Sequence, residues 1–357
     1  MSHLSTRHLA SAGFESARTL AGLTHGHSFL VQATAKLTGI APSDAFQSAL
    51  EATCASLSYK DLEAMVGTNP SDTVLVQWLR QQLKSTAVKQ SWAHAPCTIS
   101  LRSAPNTHSH WHSTEADCTW VARRYHFEAA HQLPNVPAGH KCGRMHGHGF
   151  SASVVCRVPP SHTALNPHAQ IDQAWRPFYQ KLHHACLNDI KGLENPTSEH
   201  LALWLWQGLN QDLDLVAIAV NETPTAGCVF NGTRMRIWKE QTLDSAVLLV
   251  DVKSDDPRRA IHGHTFKVRL HLSGALDQTL GWVYDFGDVK TAFSPIFERL
   301  DHHPLYEIAG LEHADDETLA HWIHKQMKTS VAQLSGVDVE HQKGKGVWVR
   351  EDDCFDL

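Results

Sequence analysis

One run near the middle of the chain gathers residues able to do chemistry: Phe127-Glu128-Ala129-Ala130-His131, then Lys141-Cys142-Gly143-Arg144-Met145-His146-Gly147-His148. His146 and His148 are two apart, so on a strand their imidazoles share a face. Gly147 keeps the opposite face between them small. His131 lies on an earlier segment that a hairpin would bring beside the pair. Three neutral imidazoles around an open position are the ligand set of a catalytic zinc site, with substrate in the fourth place. Cys142 falls on the connection into the second strand, close enough to act on whatever such a metal holds. A lone H-G-H in a chain with 27 histidines is weak evidence; the A-A-H upstream and the K-C-x-x-x-H-G-H spacing give the run its weight.

The elements that must position these residues recur along the chain. H-G-H occurs at His25–His27, His146–His148 and His262–His264, at intervals of roughly 120 residues. Each is followed by the alternating pattern of a half-buried strand, as in Ser28-Phe29-Leu30-Val31 and Thr265-Phe266-Lys267-Val268. Each repeat then has a polar turn before an amphipathic helix: Asn69–Asp72 before Leu75 and Leu79, Asn195–Ser198 before Leu201 and Leu205, Ala314–Glu317 before Leu319 and Ile323. The Ser, Thr or Asp residues are natural N-caps and the apolar spacing buries one face. An earlier helix recurs at Trp175–Leu182 and Phe286–Leu300. Every repeat reads strand, strand, helix, helix, strand, strand. The first covers about 8–105, the second 120–232 and the third 247–352. Asn106–Cys118, with His108, His110 and His112, reads as a linker or an edge strand, and Thr233–Asp244 as a connection.

Composition narrows the function classes. A chain of 357 residues with 42% hydrophobic residues has room for two or three domains and a sizeable core. The formal net charge of −6 argues against a general nucleic-acid binder, although a local basic pocket would hold a small anionic substrate. The eight cysteines are scattered without a C-x-x-C pair and read as reduced, buried thiols, with Cys142 the exception. No apolar run approaches the ~20 residues that span a bilayer. Arg7, Arg18 and the early serines resemble a transit peptide only superficially, because that segment belongs to the first repeat. The expectation is a cytoplasmic protein that binds neither nucleic acid nor membrane.

The run from Phe127 to Phe150 resembles the 6-carboxy-tetrahydropterin synthase and 6-pyruvoyl-tetrahydropterin synthase family, and its Cys-x-x-x-His-Gly-His spacing resembles the carboxy-type, queuosine-pathway branch. The resemblance continues through Gly192–Glu199 and Asn221–Gly227. It implies an α+β tunnelling fold, an antiparallel sheet with two helices on one face. Family subunits form rings of three whose sheets close a barrel, and two rings stack. Three fused copies therefore imply an intrachain pseudo-trimeric β-barrel and a homodimer of chains; closing the sheet also removes exposed edges.

Residue by residue, the resemblance implies zinc (Zn2+) on His131, His146 and His148, with Cys142 as catalytic thiol. Glu222 would hold the pterin ring, and Thr197 and Ser198 would contact it. The family's Asp-His pair survives only as Asp301-His302 in the third repeat; the second reads His183-His184 there and the first Ser58-Tyr59. The first repeat has Arg18 where the second has His131, and Arg cannot ligate a metal. In the third, His341 matches Glu222, and Glu340, one place off, is the alternative anchor. The expectation is one complete site per chain at the interface of the second and third repeats. It would act on 7,8-dihydroneopterin triphosphate to give 6-carboxy-5,6,7,8-tetrahydropterin, acetaldehyde and triphosphate. A 6-pyruvoyl-tetrahydropterin synthase-like lyase and a non-catalytic pterin- or metal-binding scaffold are the alternatives.

Overall fold

The computed structural model describes residues 4–90, 98–112, 119–158 and 167–351. Cys97, Cys118 and Cys354, and the end of the Asn106–Cys118 stretch, lie outside the described residues. The first repeat supplies strands β1 (Leu4–Leu20) and β2 (Leu23–Ala35), helices α1 (Ile40–Leu57), α2 (Leu62–Val66) and α3 (Asp72–Gln90), then strands β3 (Thr98–Ala104) and β4 (Thr107–His112). The second supplies β5 (Thr119–His131), β6 (His146–Val158), α4 (Pro167–Leu182), the short β7 (Ala185–Cys186), α5 (Ser198–Leu209), β8 (Leu215–Thr223) and β9 (Ala226–Phe230). The third supplies β10 (Met235–Val247), β11 (His262–Gly274), α6 (Phe286–Leu300), α7 (Asp316–Lys328), β12 (Leu334–Gln342) and β13 (Lys345–Glu351). This is an α+β chain of tandem tunnelling-fold repeats, in the element order that the periodicity predicts.

Two boundaries move. Thr107–His112 takes the strand form of the two readings: β4 pairs antiparallel with β3, with Ile99 opposite Trp111. Thr233–Asp244 is mostly strand as well, because β10 is the opening strand of the third repeat, as β5 is of the second.

The chain divides into two compact units. One comprises residues 1–119, 240–270 and 290–357, with strand order β4-β3-β2-β1-β13-β12-β11-β10. In its first repeat, α1 and α3 lay Phe46, Leu50, Leu57, Leu75 and Leu79 against Val31, Ala33, Ile99 and Leu101, all essentially excluded from solvent. Each such Val, Leu, Ile or Phe side chain contributes roughly 1.5–3 kcal/mol by leaving water. The other unit comprises residues 120–239 and 271–289. Its sheet runs from the start of β10 through β9-β8-β6-β5 to β7, and β7 joins β5 in parallel. Its core stacks Tyr125 on Trp175 and Phe127 on Phe150, with ring centres 4.6 and 5.3 Å apart. This unit includes residues 271–289 of the third repeat, which repeat counting assigns elsewhere.

The same turn closes the first helix of every repeat. Tyr59, His184 and His302 all take left-handed φ values of 56–60°. Their backbone N–H groups donate to Glu15, Glu128 and Asp244 respectively, at 2.6–2.7 Å. The αL residue disfavours a side chain with Cβ, and the bond to the opening strand compensates. The predicted caps are also present: the Thr197 hydroxyl accepts from His200 N at 3.1 Å and the Asp315 carboxylate from Thr318 N at 2.8 Å. Among the described residues, no helix is long and apolar enough to cross a membrane.

Candidate metal centre

β5 ends at His131 and β6 begins at His146, so the strand pair carries all three imidazoles at one end of the sheet. Gly147 lies against the neighbouring strand: a Cβ there would stand 3.2 Å from the Ala129 carbonyl and 3.5 Å from Ala130 Cα. The glycine therefore permits the close approach that brings His131 between the other two. Ring centres are 4.5 Å apart for His131–His146, 5.1 Å for His131–His148 and 5.9 Å for His146–His148.

Each ring is oriented by a backbone carbonyl on its Nδ1. His131 faces Pro196 O at 3.2 Å, His146 faces Arg144 O at 2.7 Å and His148 faces Gly149 O at 3.2 Å. A carbonyl only accepts, so each Nδ1 carries the proton and each Nε2 of the neutral ring is left with its lone pair. His131 Nε2 and His148 Nε2 then stand 3.2 Å apart, lone pair to lone pair, which a cation between them would resolve. Burial pushes the His131 pKa down, which keeps the ring neutral as a metal ligand must be. The residues fit a zinc ion. Glu222 brings a carboxylate oxygen within the same 4.8 Å cluster, 3.8 Å from His148 Nε2. Its other oxygen accepts the Ser198 hydroxyl proton at 2.8 Å.

Cys142 sits in a single 3₁₀ turn, Lys141–Gly143, capped by the His140 imidazole, which accepts from Cys142 N. The turn is tied to β5 because the Cys142 carbonyl accepts from Leu133 N at 2.8 Å. Burial raises the thiol pKa, and the charges of Glu222 and Asp285 raise it further. Cys142 is thus a protonated thiol at neutral pH when no cation is near. Cys54, Cys156 and Cys228 are buried and inert, with Cys54 and Cys156 pushed up to about 12 by burial.

The segment Asp277–Asp285 was not legible as part of this site. Asn195 Nδ2 donates to Leu280 O at 2.9 Å and Thr197 Oγ1 to Gly281 O at 2.8 Å. The buried Glu199 accepts from Val283 N at 3.0 Å, and the His140 Nε2 lies 3.5 Å from Asp285. Thr197 therefore spends its hydroxyl on holding this segment, while Ser198 holds Glu222. The signal available in the sequence was Glu199 itself, a charge on the buried face of a helix.

Glu199 carries a stability prediction. Burial raises its pKa from 4.5 to about 7. The folded state then holds a proton that the unfolded chain releases, so this contribution is intact below about pH 4.5 and is lost as pH rises to about 7. The difference is at most about 3 kcal/mol. Melting temperatures of wild type and Glu199→Gln, measured at pH 5 and pH 8, should show a loss at pH 8 for wild type that the variant lacks.

Asp301 and His302 follow α6 in the other unit. Asp301 accepts from Asp244 N at 2.9 Å and from His302 Nδ1 at 2.8 Å. The Asp244 N–H holds the Asp301 pKa low, and Asp301 in turn raises that of His302. In the second repeat the His183 Nδ1 accepts from Glu128 N at 3.2 Å, doing the structural part of Asp301's work without the carboxylate. The third-repeat carboxylate beside the Cys142 turn is Asp285, which lies 3.5 Å from His140 Nε2 and whose charge reaches Cys142. Glu340 is committed to Lys267, 3.1 Å away, and to Gly344 N at 2.8 Å.

The first repeat fills the equivalent position with its own cation. Arg18 donates to Asp72 at 2.5 Å, Ser103 donates to the other Asp72 oxygen at 2.5 Å, and the guanidinium lies over Phe29. Arg18, Asp72 and Ser103 are 5–7% exposed. Arg18→Ala would strand the buried Asp72 charge and should cost about 3–5 kcal/mol, read by urea unfolding.

The chain is similar to several known proteins. The family model for 6-pyruvoyl tetrahydropterin synthase matches residues 120–233 and 236–352, more than half of the chain. A 6-carboxy-5,6,7,8-tetrahydropterin synthase of Synechocystis sp. is 33% identical over 126 residues, spanning 32% of this chain and 96% of that protein. The structure of Caenorhabditis elegans 6-pyruvoyl tetrahydropterin synthase is 21% identical over 32% of this chain and 94% of its own, with a TM-score of 0.30. A Bacillus sp. TB-90 urate oxidase aligns over 97% of this chain and 96% of its own at 9% identity, with a TM-score of 0.21. With two of its three repeats matched by the family model, the chain belongs to the 6-pyruvoyl tetrahydropterin synthase family.

Proposed function

We propose that the chain is a 6-carboxy-5,6,7,8-tetrahydropterin synthase acting on 7,8-dihydroneopterin triphosphate, of the queuosine and 7-deazaguanine type. The observation that carries this reading is the convergence of His131, His146 and His148 beside the Cys142 turn, with Glu222 at the rim. A zinc ion held there would supply Lewis acidity to the side-chain oxygens of the substrate. Glu222, fixed by Ser198, accepts from the ring N–H and amino groups and aligns the side chain. Thr197 holds the neighbouring Asp277–Asp285 segment through Gly281. Cys142 carries the abstracted proton, since its raised pKa makes the thiolate a strong base. His302, its Nδ1–H held by Asp301, offers an exposed Nε2 as relay.

The carboxylates whose charges reach Cys142 are Glu222 and Asp285, and we place Asp301 and His302 in trans: the pair of one chain serves Cys142 of a second chain in a homodimer. The direct test is to purify the chain, count zinc and assay products. About one zinc per chain with acetaldehyde release supports the carboxy-type reaction. Triphosphate release without acetaldehyde would replace it with the 6-pyruvoyl type, and no turnover with zinc present would leave a binding scaffold.

A further inference from the structure

The second and third repeats build the same patch of sheet and fill it with different charges. β5 and β10 both run 13 residues, β6 and β11 both run 13, and β8 and β12 both run nine. Matched end to end, Arg124 takes the place of Glu240, Ser151 that of Lys267, Ser153 that of Arg269 and Asn221 that of Glu340. In the third repeat these positions close on one another: Lys267 lies 3.1 Å from Glu340, and Arg269 lies 2.8 Å from Glu240. Two cations meet two carboxylates, and the patch is neutral.

In the second repeat one charge is left over. Arg124 Nε and Nη2 donate to the Ser151 hydroxyl oxygen at 3.2 and 2.9 Å, and among the described residues no carboxylate pairs with this guanidinium. The adjacent Arg123 and Tyr125 face α4, where both bond Asp172 at 2.7 Å. Alternation along β5 puts Arg124, His126 and Glu128 on the other face of the sheet, away from Phe127 and His131. Burial pulls the Arg124 pKa down with no acid to offset it, whereas Asp172 raises that of Arg123. A guanidinium stays charged, so Arg124 is a half-buried cation that lacks an anion.

A cavity of about 520 Å³ lies on this face, inside the range of small-molecule sites. Its charged and titratable lining is Arg124, His126, Glu128, His183 and His184. Glu128, the carboxylate among them, is exposed at the rim with its Oε2 3.4 Å from His184 Nε2. His183 Nδ1 accepts from Glu128 N, which leaves the proton of the neutral ring on Nε2 as a donor. His126 is near enough to Arg124 to feel its charge. The Ser151 oxygen accepts twice and keeps its own proton to give, and Asn221 stands opposite Ser151 in the strand register.

These donors cover more than one small ion would need. Arg124 and His126 are about 7 Å apart along β5, and β8 lies about 10 Å from β5 with β6 between them. A chain of linked phosphates carries charged oxygens over such a span, and each phosphate accepts a guanidinium fork in pairs.

We propose that the second repeat carries a second ligand site, for an anion of two or three linked phosphates, held by Arg124, Ser151 and Asn221 on the sheet face opposite the imidazole triad. The triphosphate released by the proposed reaction is such an anion; that source rests on the proposed function, and the site itself does not.

The test is equilibrium dialysis and calorimetry of the full chain with inorganic triphosphate, in the His146→Ala background so that a resident metal does not draw the probe. One triphosphate should bind per chain, at least about tenfold more tightly than single phosphate. Arg124→Gln, which keeps the polar side chain without the charge, should weaken binding about ten- to a hundredfold. Ser151→Asp gives Arg124 an internal acid, as the third repeat gives its cations, and should abolish binding without lowering the melting temperature. Glu128→Gln removes the rim carboxylate and should leave binding as tight or tighter. Absent binding, equal affinity for single phosphate, unchanged affinity in Arg124→Gln or in Ser151→Asp, or a loss in Glu128→Gln would each overturn the site. Tighter binding of ATP than of inorganic triphosphate would assign the cavity to a nucleotide and overturn the free anion. Wild-type turnover is read separately: triphosphate binding without turnover would sink the proposed reaction alone, and turnover without triphosphate binding the site alone.

Discussion

His146→Ala should lose its zinc and at least about 10³ of its turnover while remaining folded. A bound Lewis acid supplies several kcal/mol of transition-state stabilisation, and each 1.36 kcal/mol is a factor of ten. His146 is only half-buried at the start of β6, so alanine removes a ligand without opening a core cavity. His131 would be a poorer test, because it is 2% exposed and packs against Phe150. Metal analysis, turnover and a thermal melt decide the matter together. Zinc retained at wild-type stoichiometry would place the ion elsewhere in the chain. Wild type should hold about one zinc per chain, since Arg18 and the spread of His262, His264 and His341 leave the other two repeats without a closed ligand set.

The second large effect concerns the relay. Cys142→Ala and Asp301→Ala chains should each be almost inactive, and mixing them through a dissociation and reassociation cycle should restore activity. If His302 of one chain serves Cys142 of the other, each mixed dimer gains one site with both residues intact. Half of randomly mixed dimers are mixed, so recovery should approach a quarter of wild-type activity. If the pair worked within its own chain, no mixed dimer would contain a complete site, and activity would stay at background. The prediction rests on Asp285, the third-repeat carboxylate whose charge is felt at Cys142. Size measurement of the unmixed wild type is the companion observation, since a monomer that turns over substrate would sink the trans arrangement.

Much of the site was legible because it is local. A two-residue spacing on a strand fixes a shared face, and the polar turn before an apolar helix fixes a cap, so His146, His148, Thr197 and Asp315 could be placed without knowing any partner. The repeat made the fold legible too, since three weak patterns in the same order support one another. Polarity hid the strand character of Thr233–Asp244 and left Thr107–His112 open between linker and edge strand; sheet pairing decided both, not propensity.

The sequence by itself determined the imidazole triad, the adjacent thiol, the loss of the first metal ligand to Arg18, and the tandem α+β plan. Only the tertiary structure decided what each substitution became. Arg18 became a plug because Asp72 and Ser103, 54 and 85 residues onward, meet it across the sheet and helix. His341 became tied to α7 because Asp316 accepts from its Nδ1, and Asp285 came to Cys142 because residues 271–289 join the second repeat's unit. These are contacts between residues distant in sequence. Strand register and helix docking set them, and no short-range spacing encodes either.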